Sequence, residues 1–186
     1  MQVMETRKQV LGEEHPDSLI SMGSLASMYR SQGRWKEAEE LEVQVMETRK
    51  WVLGEEHPDS LISMGNLVST YRSQGQWKEA EELEVRVMET MKWVLGEEHP
   101  HSLTAMNNLV STYWNQGRWK EAEELAVRVM ETRKRILGKE HPDSLTSMVN
   151  LALTYWNQGL WKEAEGLDLL VMATRQQVLG QEQPDL

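Results

Sequence analysis

Histidine recurs at His15, His57, His99 and His141, always 42 residues apart and always before proline, with a fifth, His101, two places after His99. Imidazoles at fixed spacing could ligate a transition metal. Equivalent points of successive helical units lie about two helix diameters, each ~10 Å, apart, whereas metal–nitrogen bonds are near ~2 Å, so this ladder cannot share an ion. The spacing predicts instead a link residue that packs or hydrogen-bonds at a helix start. The pair in His99-Pro100-His101 lacks a third ligand, and Asp holds the second place in the other units. Glu37, Glu39, Glu40 and Glu42 could serve as general acid and base, but they recur almost unchanged in every unit, which predicts a solvated, charged helix face. No Gly-rich phosphate loop, Gly-x-Ser-x-Gly elbow or His-Glu-x-x-His occurs. The chain has no Cys, hence no thiolate nucleophile, thiolate zinc site or disulfide. The sequence predicts no catalysis, no bound metal and no cofactor.

The elements that carry these residues follow from one stretch, Gln32-Gly33-Arg34-Trp35-Lys36-Glu37-Ala38-Glu39-Glu40-Leu41, which returns in modified form from Gln74, Gln116 and Gln158. A polar link centred on Gly, then an aromatic residue and an Ala three places on, predicts a tight helix-to-helix turn in which Ala lets two helices approach. Pro16 and Asp17 suit a first helical turn, because proline is tolerated there and a carboxylate favours the positive end of the helix dipole. Helix A is expected over about 17–32, with Leu19, Met22, Leu25, Ala26 and Tyr29 on one stripe at i, i+3, i+4, i+7 spacing. Helix B is expected over about 34–53, with Trp35, Ala38, Leu41, Val45, Arg49 and Val52 on one face. Nine of the 12 glycines stand at the two helix ends, Gly180 among them. Trp35, Trp77, Trp119 and Trp161, the four tyrosines, and nine methionines fixed at two repeat positions are expected between helices.

Neither stripe can be buried by one helix alone, so hairpins must stack. Four full repeats span 15–56, 57–98, 99–140 and 141–182, the first two differing at six places. Residues 1–12 match 43–54, so residues 1–14 read as a partial repeat and 183–186 as the start of another, all within a single domain over 1–186. Apolar surface open at both ends predicts weak end-to-end self-association. The net charge of −10 disfavours a nucleic-acid backbone as partner. No apolar run approaches the ~20 residues that span a bilayer, and no secretory signal is visible, so a cytoplasmic protein away from membranes is expected.

With Leu25-Ala26-x-x-Tyr29-x-x-Gln32-Gly33 in helix A and Trp35-Lys36-Glu37-Ala38-Glu39-x-Leu41 in helix B, the unit resembles a tetratricopeptide repeat. The 42-residue length and Leu-Gly-x-x-His-Pro link are similar to the kinesin light chain type, and Trp-Lys-Glu-Ala-Glu-Glu-Leu is similar to the C-terminal arrays of fungal NOD-like receptors. The resemblance implies an all-α right-handed superhelical solenoid whose helices A line a concave groove. It implies a non-catalytic scaffold that binds a protein or peptide segment there. Groove positions under this reading are Arg30, Asn66, Ser69, Arg72, Asn107, Asn108, Ser111, Trp114, Asn115, Asn150, Trp156 and Asn157. The change from Arg30 and Arg72 to Trp114 and Trp156 predicts an acidic ligand portion towards the first repeats and an aromatic or apolar anchor towards the last. Side-chain amides suit an extended peptide backbone, having both donors and acceptors. One departure stands out: the helix B place usually filled by a large apolar residue holds Glu42, Glu84, Ala126 and Asp168, which predicts a thinner or solvated contact. Repeat charges are −3, −4, +2 and −3, the third repeat alone being basic through residues such as Arg128, Lys134 and Arg135. The expected context is the sensor region of an intracellular signalling protein, the alternatives being a cargo adaptor or an engineered repeat.

Overall fold

A computed structural model describes the backbone over residues 2–182 and side chains over residues 6–178. Within them there are nine helices and no strand: α1 (Gln2–Leu11), α2 (Pro16–Ser31), α3 (Trp35–Leu53), α4 (Pro58–Gln74), α5 (Trp77–Leu95), α6 (Pro100–Asn115), α7 (Trp119–Leu137), α8 (Pro142–Gln158) and α9 (Trp161–Glu182). They fall into two compact units, Met1–Val94 and Leu95–Leu186. The expected further repeat at 183–186 lies outside the described residues.

Each helix A starts where the sequence places it. The Nδ1 atoms of His15, His57, His99 and His141 accept the backbone N–H two residues on, at 3.1–3.2 Å, with Pro between. These histidines are N-caps: the imidazole satisfies a donor that the first helical turn would otherwise leave open. Gly33, at φ 73°, closes α2 with Gly33 N–H on the Arg30 carbonyl and Arg34 N–H on the Tyr29 carbonyl. That paired closure needs a left-handed residue, which glycine adopts without penalty. Only two residues then separate α3's first turn from Gln32, and Ala38 is wholly buried at the close approach.

The cores lie within the units. In the N-terminal unit Leu19, Met22 and Val45 cluster with Leu41. In the C-terminal unit Val110, Ala122, Ala126 and Leu151 form one cluster and Leu145, Met148 and Val171 another. Burying each such large side chain is worth about 1.5–3 kcal/mol; the Leu19 cluster joins the two helices of one hairpin, and the other two clusters reach from α7 to α8 and so hold one hairpin to the next.

Several expectations need correction. Val52 is exposed, with Trp51 beside it 75% accessible, because helix B at 19 residues outruns helix A at 16 and its last turn has no cover. Trp35, Trp77 and Trp119 are half-buried and Trp161 is exposed; among the described residues no helix follows α9 to cover it. The tyrosines are half-buried: Tyr113 and Tyr155 pack between helices against the Val110 cluster as expected, while Tyr29 and Tyr113 lie under the guanidinium groups of Arg34 and Arg118. Met22, Met64, Met106 and Met148 are buried as expected, whereas Met172 is exposed. Helix α9 runs through Gly180, since glycine favours a helix stop without enforcing one.

Candidate protein-interaction site

In the N-terminal unit, α2, α3 and α4 enclose an open hollow of about 310 Å³. Helix A residues Ile20, Gly23, Ser24, Ser27 and Arg30 line one side, Ile62 and Asn66 the next, and Glu42, Val45 and Arg49 the floor. The absence of a side chain at Gly23, where an added Cβ would meet nothing within 4 Å, keeps this wall open. Arg30 Nη1 lies 3.6 Å from Glu42 Oε1 and donates to the Asn66 carbonyl at 3.2 Å. Arg49 donates to the Asp59 carbonyl at 3.1 Å. One repeat later Arg72 pairs with Glu84 at 3.7 Å. Glu42 and Glu84 are buried, which corrects the expectation of a solvated contact at these two places, where the missing apolar residue is replaced by a carboxylate held under an arginine; Asp168, at the same place in the last repeat, is exposed. Glu37, Glu39 and Glu40 remain at or near the surface, so the charged face expected there excludes Glu42 alone.

The C-terminal unit solves the same place differently. Trp114 packs against the Val110, Ala122, Ala126 and Leu151 cluster, and its Nε1 donates to Thr154 Oγ1 at 2.9 Å. Ala126 stands where Glu42 and Glu84 stand in the other unit. Trp156, 58% exposed, meets Trp161 edge-on at 4.5 Å and lines a second hollow of about 340 Å³ with Glu165, Asp168, Leu169 and Met172. Asn150 Nδ2 donates to Asn107 Oδ1 at 2.8 Å, joining α8 to α6. Asn115 and Asn157 each spend their amide N–H on the carbonyl four residues back, at 2.7 Å. Asn108 is exposed, Ser111 half-buried, and Ser69 exposed with its hydroxyl donating to the Gly65 carbonyl at 3.0 Å. The twelve expected positions therefore divide: the Trp114 side chain and the Asn107–Asn150 pair are engaged between helices, while Asn66, Asn108 and Trp156 present open surface.

Electrostatics follow packing. Burial pushes the Glu42 carboxyl above the ordinary carboxylate range, against the opposing pulls of the nearby Thr70 hydroxyl and Arg30, although neither Thr70 Oγ1 nor Glu42 Oε2 completes a hydrogen bond of ordinary geometry. Burial likewise lowers Arg133, partly offset by Asp143, and raises Tyr71 and Tyr155, where glutamates add to the effect. Arg34 and Arg118 hold the exposed Glu37 and Glu121 below their usual range through hydrogen bonds. Among the described residues no three His, Asp or Glu side chains converge as a metal cage, and no helix is long and apolar enough to cross a membrane.

Four consecutive matches to the family model described as Tetratricopeptide repeat cover residues 18–59, 60–101, 102–143 and 144–185. The chain belongs to the tetratricopeptide repeat family. Its helical hairpins are similar to two crystal structures of Podosopora anserina putative kinesin light chain nearly identical TPR-like repeats, at 34% identity. They cover 96% and 95% of this chain and 84% of each of those chains, with TM-scores of 0.87 and 0.86. BtubC (BKLC) from P. vanneervenii, at 21% identity over 97% of this chain and 72% of its own, shares the fold with a TM-score of 0.80. No curated protein matches.

What sequence reasoning missed in these tetratricopeptide repeats is the coupling between two helices. The pairs twelve residues apart read Arg30/Glu42, Arg72/Glu84, Trp114/Ala126 and Trp156/Asp168. In the first three, charge leaves helix A when it leaves helix B, and bulk moves the other way. That joint change was visible in the residues, and it signals contact between the two places. Thr70 and Thr154, which complete the two arrangements, carried no signal of their own.

Proposed function

We propose that this tetratricopeptide repeat protein is a non-catalytic scaffold that binds protein or peptide segments on its helix A surfaces. The observation that carries the reading is the hollow of about 310 Å³ in the N-terminal unit, where aliphatic walls meet Arg30, Arg49 and the Asn66 side chain. Aliphatic walls with a few convergent polar groups are the usual make-up of a recognition site. An acidic stretch is the ligand chemistry for this unit and for Arg72; an apolar or aromatic side chain is that for exposed Trp156 in the C-terminal unit. Asn66, Ser69, Asn108, Ser111, Asn115 and Asn157 supply polar contacts to a peptide backbone. The repeat wording supports the sensor region of a larger cytoplasmic signalling protein of the NOD-like receptor type. Similarity at 34% identity to a putative kinesin light chain supports a cargo adaptor as the second reading. The near-identity of the first two repeats is also what an engineered array would show.

The test is selection of a displayed peptide library on the chain, followed by titration of enriched peptides against variants. Trp156→Ala is expected to weaken binding about tenfold or more, as for a true anchor, with the melting temperature lowered only by loss of the edge-on contact to Trp161, and by less than in Trp114→Ala. Trp114→Ala is expected to lower the melting temperature. No enrichment, or enriched peptides that bind Arg72→Ala and Trp156→Ala as well as the parent, would refute the reading.

A further inference from the structure

The hollow of the N-terminal unit contains more than a peptide site requires. Glu42 lines it with a side chain only 4% exposed, one oxygen 3.6 Å from Arg30 and the other, Oε2, buried with no hydrogen-bond partner. A carboxylate withdrawn from water with one oxygen unengaged is held at a cost that a solvated one does not bear. Few groups face it. Helix α2 contributes Arg30; α3 itself contributes Arg49, already donating to the Asp59 carbonyl; α4 contributes the Thr70 hydroxyl and Asn66, and no charged side chain of α4 lines the hollow. Thr70 Oγ1 is also buried without a completed hydrogen bond. Burial favours the neutral form of Glu42.

We infer that Glu42 is an internal stand-in for a ligand carboxylate: ionised, it occupies Arg30; protonated, it releases that guanidinium, so the hollow binds an acidic peptide more tightly as the pH falls. This rests on the reading that the unit takes acidic segments. The exchange balances. Before binding the hollow holds Arg30⁺ and Glu42⁻; afterwards it holds Arg30⁺, the ligand carboxylate and neutral Glu42, with one proton taken up from solvent. The buried charge is the same in both states: the ligand carboxylate gives up its water as it enters, and Glu42 gives up its charge by taking a proton. The neutral carboxyl also becomes a donor, and the Thr70 oxygen lacks one.

Two measurements on the whole chain test this. Without ligand, the Glu42 carboxyl carbon and Arg30 Nε resonances are followed through an acid titration. Both are expected to move with one midpoint above the ordinary carboxylate range, and the Arg30 step is expected to vanish in Glu42→Gln. An uncharged side chain already occupies the equivalent place at Ala126, and Glu42→Ala serves as a second variant. With ligand, calorimetric titration of the acetylated, amidated peptide Leu-Glu-Asp-Leu in buffers of different ionisation enthalpy is expected to show proton uptake. Its affinity is expected to rise as pH falls from about 7.5 to about 5.5, by up to about tenfold per unit of pH for one proton taken up, with Glu42→Gln binding tightly throughout. An Arg30 resonance indifferent to Glu42, or binding with the same pH dependence in parent and Glu42→Gln, overturns the gate. No binding at either pH while Arg30 still follows Glu42 overturns the acidic-peptide reading instead.

Discussion

Transplanting the Trp114/Ala126 arrangement into the N-terminal unit tests the coupling between helices A and B directly. In Arg30→Trp the new indole can reach Thr70 as Trp114 reaches Thr154, but it leaves Glu42 buried without its cation. Stripping one partner from a fully buried pair costs about 3–5 kcal/mol. Arg30 is 27% exposed and Glu42 can escape by protonation, so the expected cost at neutral pH is about 1–2 kcal/mol. In Glu42→Ala the freed arginine can swing to solvent and the change is expected near zero. The double variant restores a matched apolar pair and gives the Thr70 oxygen a donor; replacing a buried ion pair in this way is often neutral to stabilising by about 1–4 kcal/mol. The cycle should therefore show a favourable coupling of about 2 kcal/mol. Urea unfolding read by far-ultraviolet circular dichroism supplies the four midpoints. Additivity within about 0.5 kcal/mol, the behaviour of independent sites, would refute the argument.

Ala80→Leu is expected to destabilise by about 1–3 kcal/mol through overpacking at a wholly buried position, with Glu82→Ala, whose side chain is 69% exposed, near neutral; equal midpoint shifts would contradict this placing of the core. His57→Ala should lose the cap on Asp59 N–H at about 1 kcal/mol, whereas His57→Asn should retain most of it, as thermal melts of both would show. Because burial raises Glu42 above its unfolded value, its contribution to stability is complete below the unfolded value and is lost as pH rises through the folded one. Glu42→Gln is therefore expected to gain on the parent as pH rises from about 5 to about 7, and a stability difference constant over that range would argue against it.

The sequence by itself determined the all-helical repeat, its period and most helix bounds, because these depend on local chemistry. Gly33 needs a left-handed φ, Pro16 tolerates only the first helical turn, and a 3.6-residue stripe must find cover. His15 could be placed at a helix start for the same reason, its partner lying two residues away. Only the tertiary structure decided the fate of Glu42. A carboxylate among Glu37, Glu39 and Glu40 reads as solvent-facing, and nothing local says that Arg30 on one neighbouring helix and Thr70 on another close over it. The same holds for Trp114 and Trp156, alike in sequence position, of which one is packed beneath Thr154 while the other stands open beside Trp161. Burial depends on which surfaces of other helices arrive at a residue, and that is a property of the packed chain, not of the helix that carries it.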